Sequence, residues 1–290
     1  MRTDTKFCSP DQYPELEAGR EESLMMTIGV LACLFDCATN LESVLRAWFN
    51  VDLKANGVGF KIAAVSGMFK EYAELGYDER ALDIETAGEL LCSEKYPFDY
   101  LYIINSPYCI THKSQLRFFS EAETRDFALR YLLSEKVDIV WLLDGDEIYT
   151  TSQIESIVNY IRQNDSADWY SVNFKNYIFD GEVWIPGFHP PRLFWAKRHE
   201  GIEKFYSDNV ILYCDGNKSV DLAGIIIPEE TAHIKHLTWL HSSGKKKYEY
   251  QMKHFGECSY VWNYEENRLE FNEEYYKKYR LPLPILNDGP

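Results

Sequence analysis

From Met26 onward the chain alternates short apolar runs with amphipathic stretches. Thr27 to Phe35 is continuously apolar between polar borders, the pattern of a strand buried on both faces and so of a parallel sheet. Thr39-Asn40-Leu41-Glu42 then has capping-box spacing, and Leu41, Val44, Leu45 and Trp48 recur at helical intervals. Two further strands are predicted at Phe60 to Val65, ending in Ser66-Gly67, and at Tyr100 to Ile104, ending in Asn105-Ser106-Pro107. Ser120 to Glu123 is a second capping box, heading a helix whose apolar stripe reads Phe127, Ala128, Tyr131 and Leu132. Val137 to Leu143, broken only by Asp138, predicts the next strand and runs into Asp144-Gly145-Asp146-Glu147. Thr150 to Gln153 caps one more helix, with Ile154, Ile157, Val158 and Ile161 on one face. This alternation, through about residue 165, predicts an open α/β layer fold with a mostly parallel sheet flanked by helices.

Beyond Asp168 the texture becomes aromatic and irregular. Trp169 to Phe174, Val183 to Ile185, Arg192 to Trp195, Val210 to Tyr213 and Ala232 to Leu240 read as strands of a mixed-sheet C-terminal half. Lys245 to Phe255 and Asn272 to Tyr279 read as short helices.

Composition narrows the functional classes. With 290 residues, 46 % of them apolar, the chain can bury a full core. No apolar run approaches the roughly 20 residues of a membrane-spanning helix. The stretch from Met1 to Glu22 is polar, contains Pro10 and Pro14, and lacks the apolar core of a secretory signal. Seven cysteines, an odd number without CxxC pairing, fit free thiols in a reducing, cytoplasmic compartment. A formal charge of −16 opposes a broad grip on nucleic-acid backbones, which cationic side chains provide. The 21 tyrosines and 7 tryptophans suit a site that stacks on sugar rings or a base, although core packing accounts for most of them.

The candidate chemistry begins at Asp144-Gly145-Asp146. Ligands of open α/β sheets bind beyond the carboxyl ends of the strands, where this motif is predicted to lie. Two carboxylates around a glycine can converge on a hard divalent cation, with Gly145 allowing a tight turn. An EF-hand loop starting at Asp144 fails, because its fifth position is Ile148 and its sixth, where glycine is needed, is Tyr149. A solvated acidic turn before a helix is the bland alternative.

Val140-Trp141-Leu142-Leu143-Asp144-Gly145-Asp146-Glu147 resembles the D-x-D segment of A-type-fold glycosyltransferases, in particular small members similar to family 2. Arg125, within Ser120 to Leu129, resembles the arginine on the helix that precedes that segment in the family. Asn176 to Gly181 and Pro190-Pro191-Arg192-Leu193-Phe194 are similar to its later strand, turn and "RLF" segment, so the resemblance spans roughly residues 26 to 255. It implies a metal-dependent transfer of a hexosyl or pentosyl group from a nucleotide-diphosphate sugar to an acceptor hydroxyl on a glycan, a lipid-linked sugar or another molecule, with inversion. The implied division is an N-terminal extension (1–24), a catalytic domain (25–255) with a nucleotide-binding half (25–165) and an acceptor half (166–255), and a C-terminal extension packed on it (256–290).

The same resemblance supplies site residues. Asp144 and Asp146 would hold Mn²⁺ or Mg²⁺, Asp144 and Arg125 would also face the donor, and His236, first residue of His-Leu-Thr-Trp-Leu-His-Ser, would complete the metal shell. In a strand His233 and His236 point to opposite faces, so the two are not expected on one ion. An imidazole ligand tilts the choice towards Mn²⁺. Ser242 to Tyr248 reads as a Gly-containing basic loop, with Lys245 and Lys247 placed to meet phosphate. Many family members carry an aspartate after the second strand to contact the donor base. Here that stretch is Ala64-Val65-Ser66-Gly67, which leaves Asp36, Ser66 or backbone for the base. The acceptor's general base falls among Asp180, Glu182 and His189, with Arg192 structural or acceptor-orienting. A nucleotidyltransferase is a rival, but Asp36 to Asn40 is neither Gly-rich nor basic. An inactive glycan-binding protein of the same fold is a second rival, against which the intact D-x-D and His236 count.

Overall fold

A computed structural model describes residues 26–34, 37, 40–49, 51, 57–66, 69–76, 101–105, 108–110, 116–118, 120–178, 183–196, 202–207, 210–215, 218–219, 224–239, 241–280 and 285–286. The first half runs β1 (Met26–Leu34), α1 (Leu41–Phe49), β2 (Val58–Ser66), α2 (Lys70–Ala73), β3 (Leu101–Asn105), the hairpin β4 (Tyr108–Ile110) and β5 (Leu116–Phe118), α3 (Glu121–Ser134), β6 (Ile139–Asp144), β7 (Glu147–Ile148) and α4 (Thr151–Gln163). The second half runs β8 (Trp169–Ser171), β9 (Asn173–Ile178), β10 (Val183–Phe188), β11 (Pro191–Trp195), β12 (Ile202–Ser207), β13 (Val210–Asp215), β14 (Lys218–Ser219), β15 (Gly224–Ile226), β16 (His233–Trp239), α5 (His241–Phe255), β17 (Tyr260–Asn263), β18 (Arg268–Phe271), α6 (Glu273–Tyr279) and β19 (Ile285–Leu286).

The central sheet has the order β15-β8-β11-β6-β1-β2-β3. Its β6, β1, β2 and β3 are parallel, and β11 runs against both of its neighbours. Strict alternation along β1 and β6 explains the two-sided burial. Ile28, Val30, Ala32, Leu34, Trp141 and Leu143 pack on one side with Leu41, Val44, Leu45 and Trp48 of α1 and with Ile154, Ile157, Val158 and Ile161 of α4. Leu31, Cys33, Val140 and Leu142 pack on the other side with Ala128, Leu129 and Leu132 of α3. The fold is therefore mixed α/β, with a mostly parallel sheet between helices.

Local sequence signals account for the helix ends. Ser120 and Thr150 each accept from the backbone N–H three residues on, while Glu123 and Gln153 return the bond to the cap's own N–H. The inner stripe of α3 is Thr124, Arg125, Ala128, Leu129 and Leu132, one step round from the predicted stripe, leaving Phe127 and Tyr131 half-buried at its margin.

A second sheet, β19-β10-β9-β16-β7, adjoins the first. The predicted single strand Trp169 to Phe174 instead divides at Val172, with β8 in the central sheet and β9 in the second. The acidic turn makes the same crossing, because β6 ends in one sheet and β7 begins in the other. The segment Ser242 to Tyr248 is not a loop: α5 begins at His241 and carries its lysines within the helix. At the C-terminal end, β17 and β18 bury Cys258, Tyr260, Trp262 and Leu269 in a small cluster of their own, flanked by Tyr248 of α5. Among the described residues no helix is long and apolar enough to cross a membrane.

Candidate active site

The turn after β6 is pinned from two sides. Gly145 N–H donates to the Cys33 carbonyl of β1 at 3.0 Å, and Leu237 N–H of β16 donates to the Asp146 carbonyl at 2.8 Å. Gly145 is not needed for a left-handed backbone, since it is absent from the positive-φ residues. Close approach requires it: a Cβ there would overlap the Cys37 side chain. Gly145→Ala is accordingly expected to lose about 1–3 kcal/mol of stability through overpacking, read from urea unfolding midpoints. A neutral midpoint would show that Cys37 gives way.

Two buried arginines hold the carboxylates of the turn. Arg125 Nη2 lies 2.7 Å from Asp144 Oδ1, and its Nε and Nη2 also reach Glu121 Oε1 one turn back on α3. Arg192 Nη2 lies 3.2 Å from Asp144 Oδ2 and 2.6 Å from Glu147 Oε1, to which Arg192 Nε donates at 2.8 Å. Burial alone would raise the Asp144 carboxyl, but Arg125 and Arg192 outweigh it and hold Asp144 below the usual carboxylate range. Glu147 is wholly buried, and this desolvation pushes its carboxyl up to about 8 against the pull of Arg192.

Asp144, Asp146 and Glu147 each bring a carboxylate oxygen within 4.8 Å of the others. His236 faces them from β16, its Nε2 3.4 Å from Asp146 Oδ2. Asp146 is the most open of these carboxylates, at 29 % side-chain exposure against 18 % for Asp144. Around this point Arg125 and Arg192 meet Glu121, Asp144 and Glu147, and Asp146 adds a fourth carboxyl group beside His236, so carboxyl groups outnumber guanidinium groups. A donor set of carboxylate oxygens with one imidazole, in locally anionic surroundings, suits a hard or borderline divalent cation.

The remaining expected site residues fall at different places. Arg125 sits against Asp144, with its side chain 3 % exposed. His233 lies outside the cluster, its carbonyl accepting from the Gln153 amide. Ser66 closes β2, paired with Leu34 and Asn105. His189 is exposed just before β11. Because Leu193 pairs with Trp141 and the two strands run oppositely, the chain before Pro191 lies towards the Asp144 end of β6. Lys245 lies within 3.9 Å of Glu249 and 5.8 Å from the Tyr264 ring, while Lys247 is half-buried along α5. Asp36, Asp180 and Glu182 lie outside the described residues.

Glu147 is the group that local motif reading passed over. Its signal is a charged residue followed at once by the apolar pair Ile148-Tyr149, which places a carboxylate in a strand that enters the interior.

No protein-family model matches the chain, and no curated protein matches it. Among solved structures, similarity is found to crystal structures of S. aureus TarS. One is matched over 79 % of this chain and 39 % of that chain, at 10 % identity and a TM-score of 0.42. TarS 1-349 is matched over 79 % and 64 %, at 10 % identity and a TM-score of 0.40. TarS 1-349 in complex with UDP-GlcNAc is matched over 52 % and 35 %, at 13 % identity and a TM-score of 0.34. The chain thus spans between about a third and just under two thirds of the length of those it matches.

Proposed function

We propose that the chain is a metal-dependent glycosyltransferase of the A-type fold, moving a sugar from a nucleotide-diphosphate donor to an acceptor hydroxyl with inversion. The observation that carries this reading is the placement of Asp144 and Asp146 at the carboxyl end of a central parallel strand, with His236 brought against Asp146 from a second sheet. Asp144, Asp146 and His236 would hold Mn²⁺ or Mg²⁺. When bound, such an ion neutralises charge developing on a departing diphosphate.

The chain's own groups divide the remaining work. Arg125 keeps Asp144 ionised and oriented, and with Asp144 it would also face the donor. Residues 25–165 would receive the nucleotide, with Asp36 and Ser66 near the base, and residues 166–255 the acceptor. His189, at the Asp144 end of the sheet, has a ring nitrogen suited to accept the acceptor hydroxyl's proton, with Asp180 and Glu182 as carboxylate alternatives. Lys245 and Lys247, on α5, would meet the diphosphate from a helix and not from a closing loop.

Calorimetry with Mn²⁺ and a panel of UDP-, GDP- and dTDP-sugars, paired with release of free nucleotide, tests the reading. Metal-dependent binding and turnover of one donor are expected. Absence of both in the wild-type chain overturns it, and nucleotide binding without sugar release points to the inactive glycan-binding alternative.

A further inference from the structure

One buried side chain touches Asp144 of the proposed cation site directly and His236 through a single ring. Arg192 donates through Nε to Glu147 Oε1 at 2.8 Å, through Nη1 to the Pro191 carbonyl at 3.2 Å, and reaches Asp144 Oδ2 with Nη2 at 3.2 Å. All three nitrogens are thus engaged, which fixes the plane of the fork. The guanidinium lies 4.9 Å from the centre of the Phe174 ring. Phe174 in turn packs 4.9 Å from the ring of His236, whose Nε2 faces Asp146. Glu147 is held on its far side: its Oε2 accepts from Tyr149 OH at 3.3 Å, and that hydroxyl accepts from Trp141 Nε1 at 3.3 Å. Its carboxylate is therefore engaged on both oxygens and has no solvent-facing surface.

We propose that Arg192 is a positioning residue that sets Asp144 directly and the His236 ring through Phe174, and that Glu147 serves to orient Arg192 and not to bind the cation. The inference rests on the proposed cation site. A planar fork with three fixed contacts specifies geometry, whereas a lysine ammonium would supply charge alone. Groups that orient metal ligands typically cost 10–100-fold in metal affinity when altered.

The test is Mn²⁺ calorimetry on wild type, Arg192→Lys and Phe174→Leu, with donor hydrolysis at saturating Mn²⁺ and melting curves alongside. Arg192→Lys is expected to melt cooperatively yet bind Mn²⁺ about 10–100-fold more weakly, with kcat still depressed at saturating metal. Phe174→Leu, which keeps every charge, is expected to weaken Mn²⁺ about tenfold, the lower end of that range. Wild-type Mn²⁺ affinity in Arg192→Lys assigns Arg192 a counter-charge role only and overturns the proposal. Should Arg192→Lys fail to fold, Phe174→Leu decides: weakened Mn²⁺ binding supports the proposal and unchanged binding overturns it. Absence of Mn²⁺ binding by wild type overturns the cation site and this inference with it, whereas a binding wild type with two unaffected variants overturns this inference alone.

Discussion

Asp146→Ala is expected to keep its fold and lose turnover by about a thousandfold or more. The structural duty of residue 146 belongs to its backbone carbonyl, which receives Leu237 N–H, and alanine keeps that bond. Its side chain is the most open carboxylate of the turn and faces His236. A cation contributing several kcal/mol to charge stabilisation would be released, and each 1.36 kcal/mol is tenfold in rate. Donor hydrolysis with and without Mn²⁺ measures the loss, and a melting curve checks the fold. Wild-type turnover in this variant would remove Asp146 from the chemistry altogether.

Arg125→Met should act on stability instead, lowering it by about 3–5 kcal/mol, the usual cost of removing one partner from a buried ion pair. The methionine fills much of the volume but removes the guanidinium from Asp144 Oδ1 and Glu121 Oε1 in a region where the arginine side chain is 3 % exposed. One nitrogen of Arg125, Nη1, has no hydrogen-bond partner, so the loss comes from the other two. Arg46→Met is the matched control: its pair with Glu42 is 61 % and 57 % exposed, and its removal should shift stability by no more than about 0.5 kcal/mol. Urea unfolding of both variants makes the comparison. A loss below about 1 kcal/mol for Arg125→Met, under the range for broken buried pairs, would show that Arg192 alone secures Asp144.

Much of the central sheet is legible in the sequence because its determinants are local. The capping boxes at Ser120 and Thr150 and the face of α4 follow from spacing alone, and all of them appear in the structure. The turn of α3 was less legible, because its inner face is occupied by Arg125, a charge that enters the core only through carboxylates on Glu121 and Asp144. Periodicity counts such a residue as outward-facing. The division at Val172 was hidden for a different reason. Trp169 to Phe174 is uniformly strand-forming, and only pairing with β11 on one side and β16 on the other assigns its two ends to different sheets. In the site, the sequence points to the acidic turn by its placement after an apolar strand and to His236 through the family resemblance, and the structure sets His236 Nε2 3.4 Å from Asp146 Oδ2. The bond between Glu147 and Arg192 spans 45 residues, and no local pattern reports it.

The crossing between sheets gives the site a mechanical property. Asp144 belongs to the strand network of β1 and β6, whereas His236 belongs to that of β9 and β7. A cation gripped from both networks would act as a rivet through the seam, so loading it would stiffen the junction of the two sheets and not one turn alone. Conversely, any lesion that lets β16 slide against β9, however remote from the acidic turn, would reach the chemistry by carrying the imidazole away.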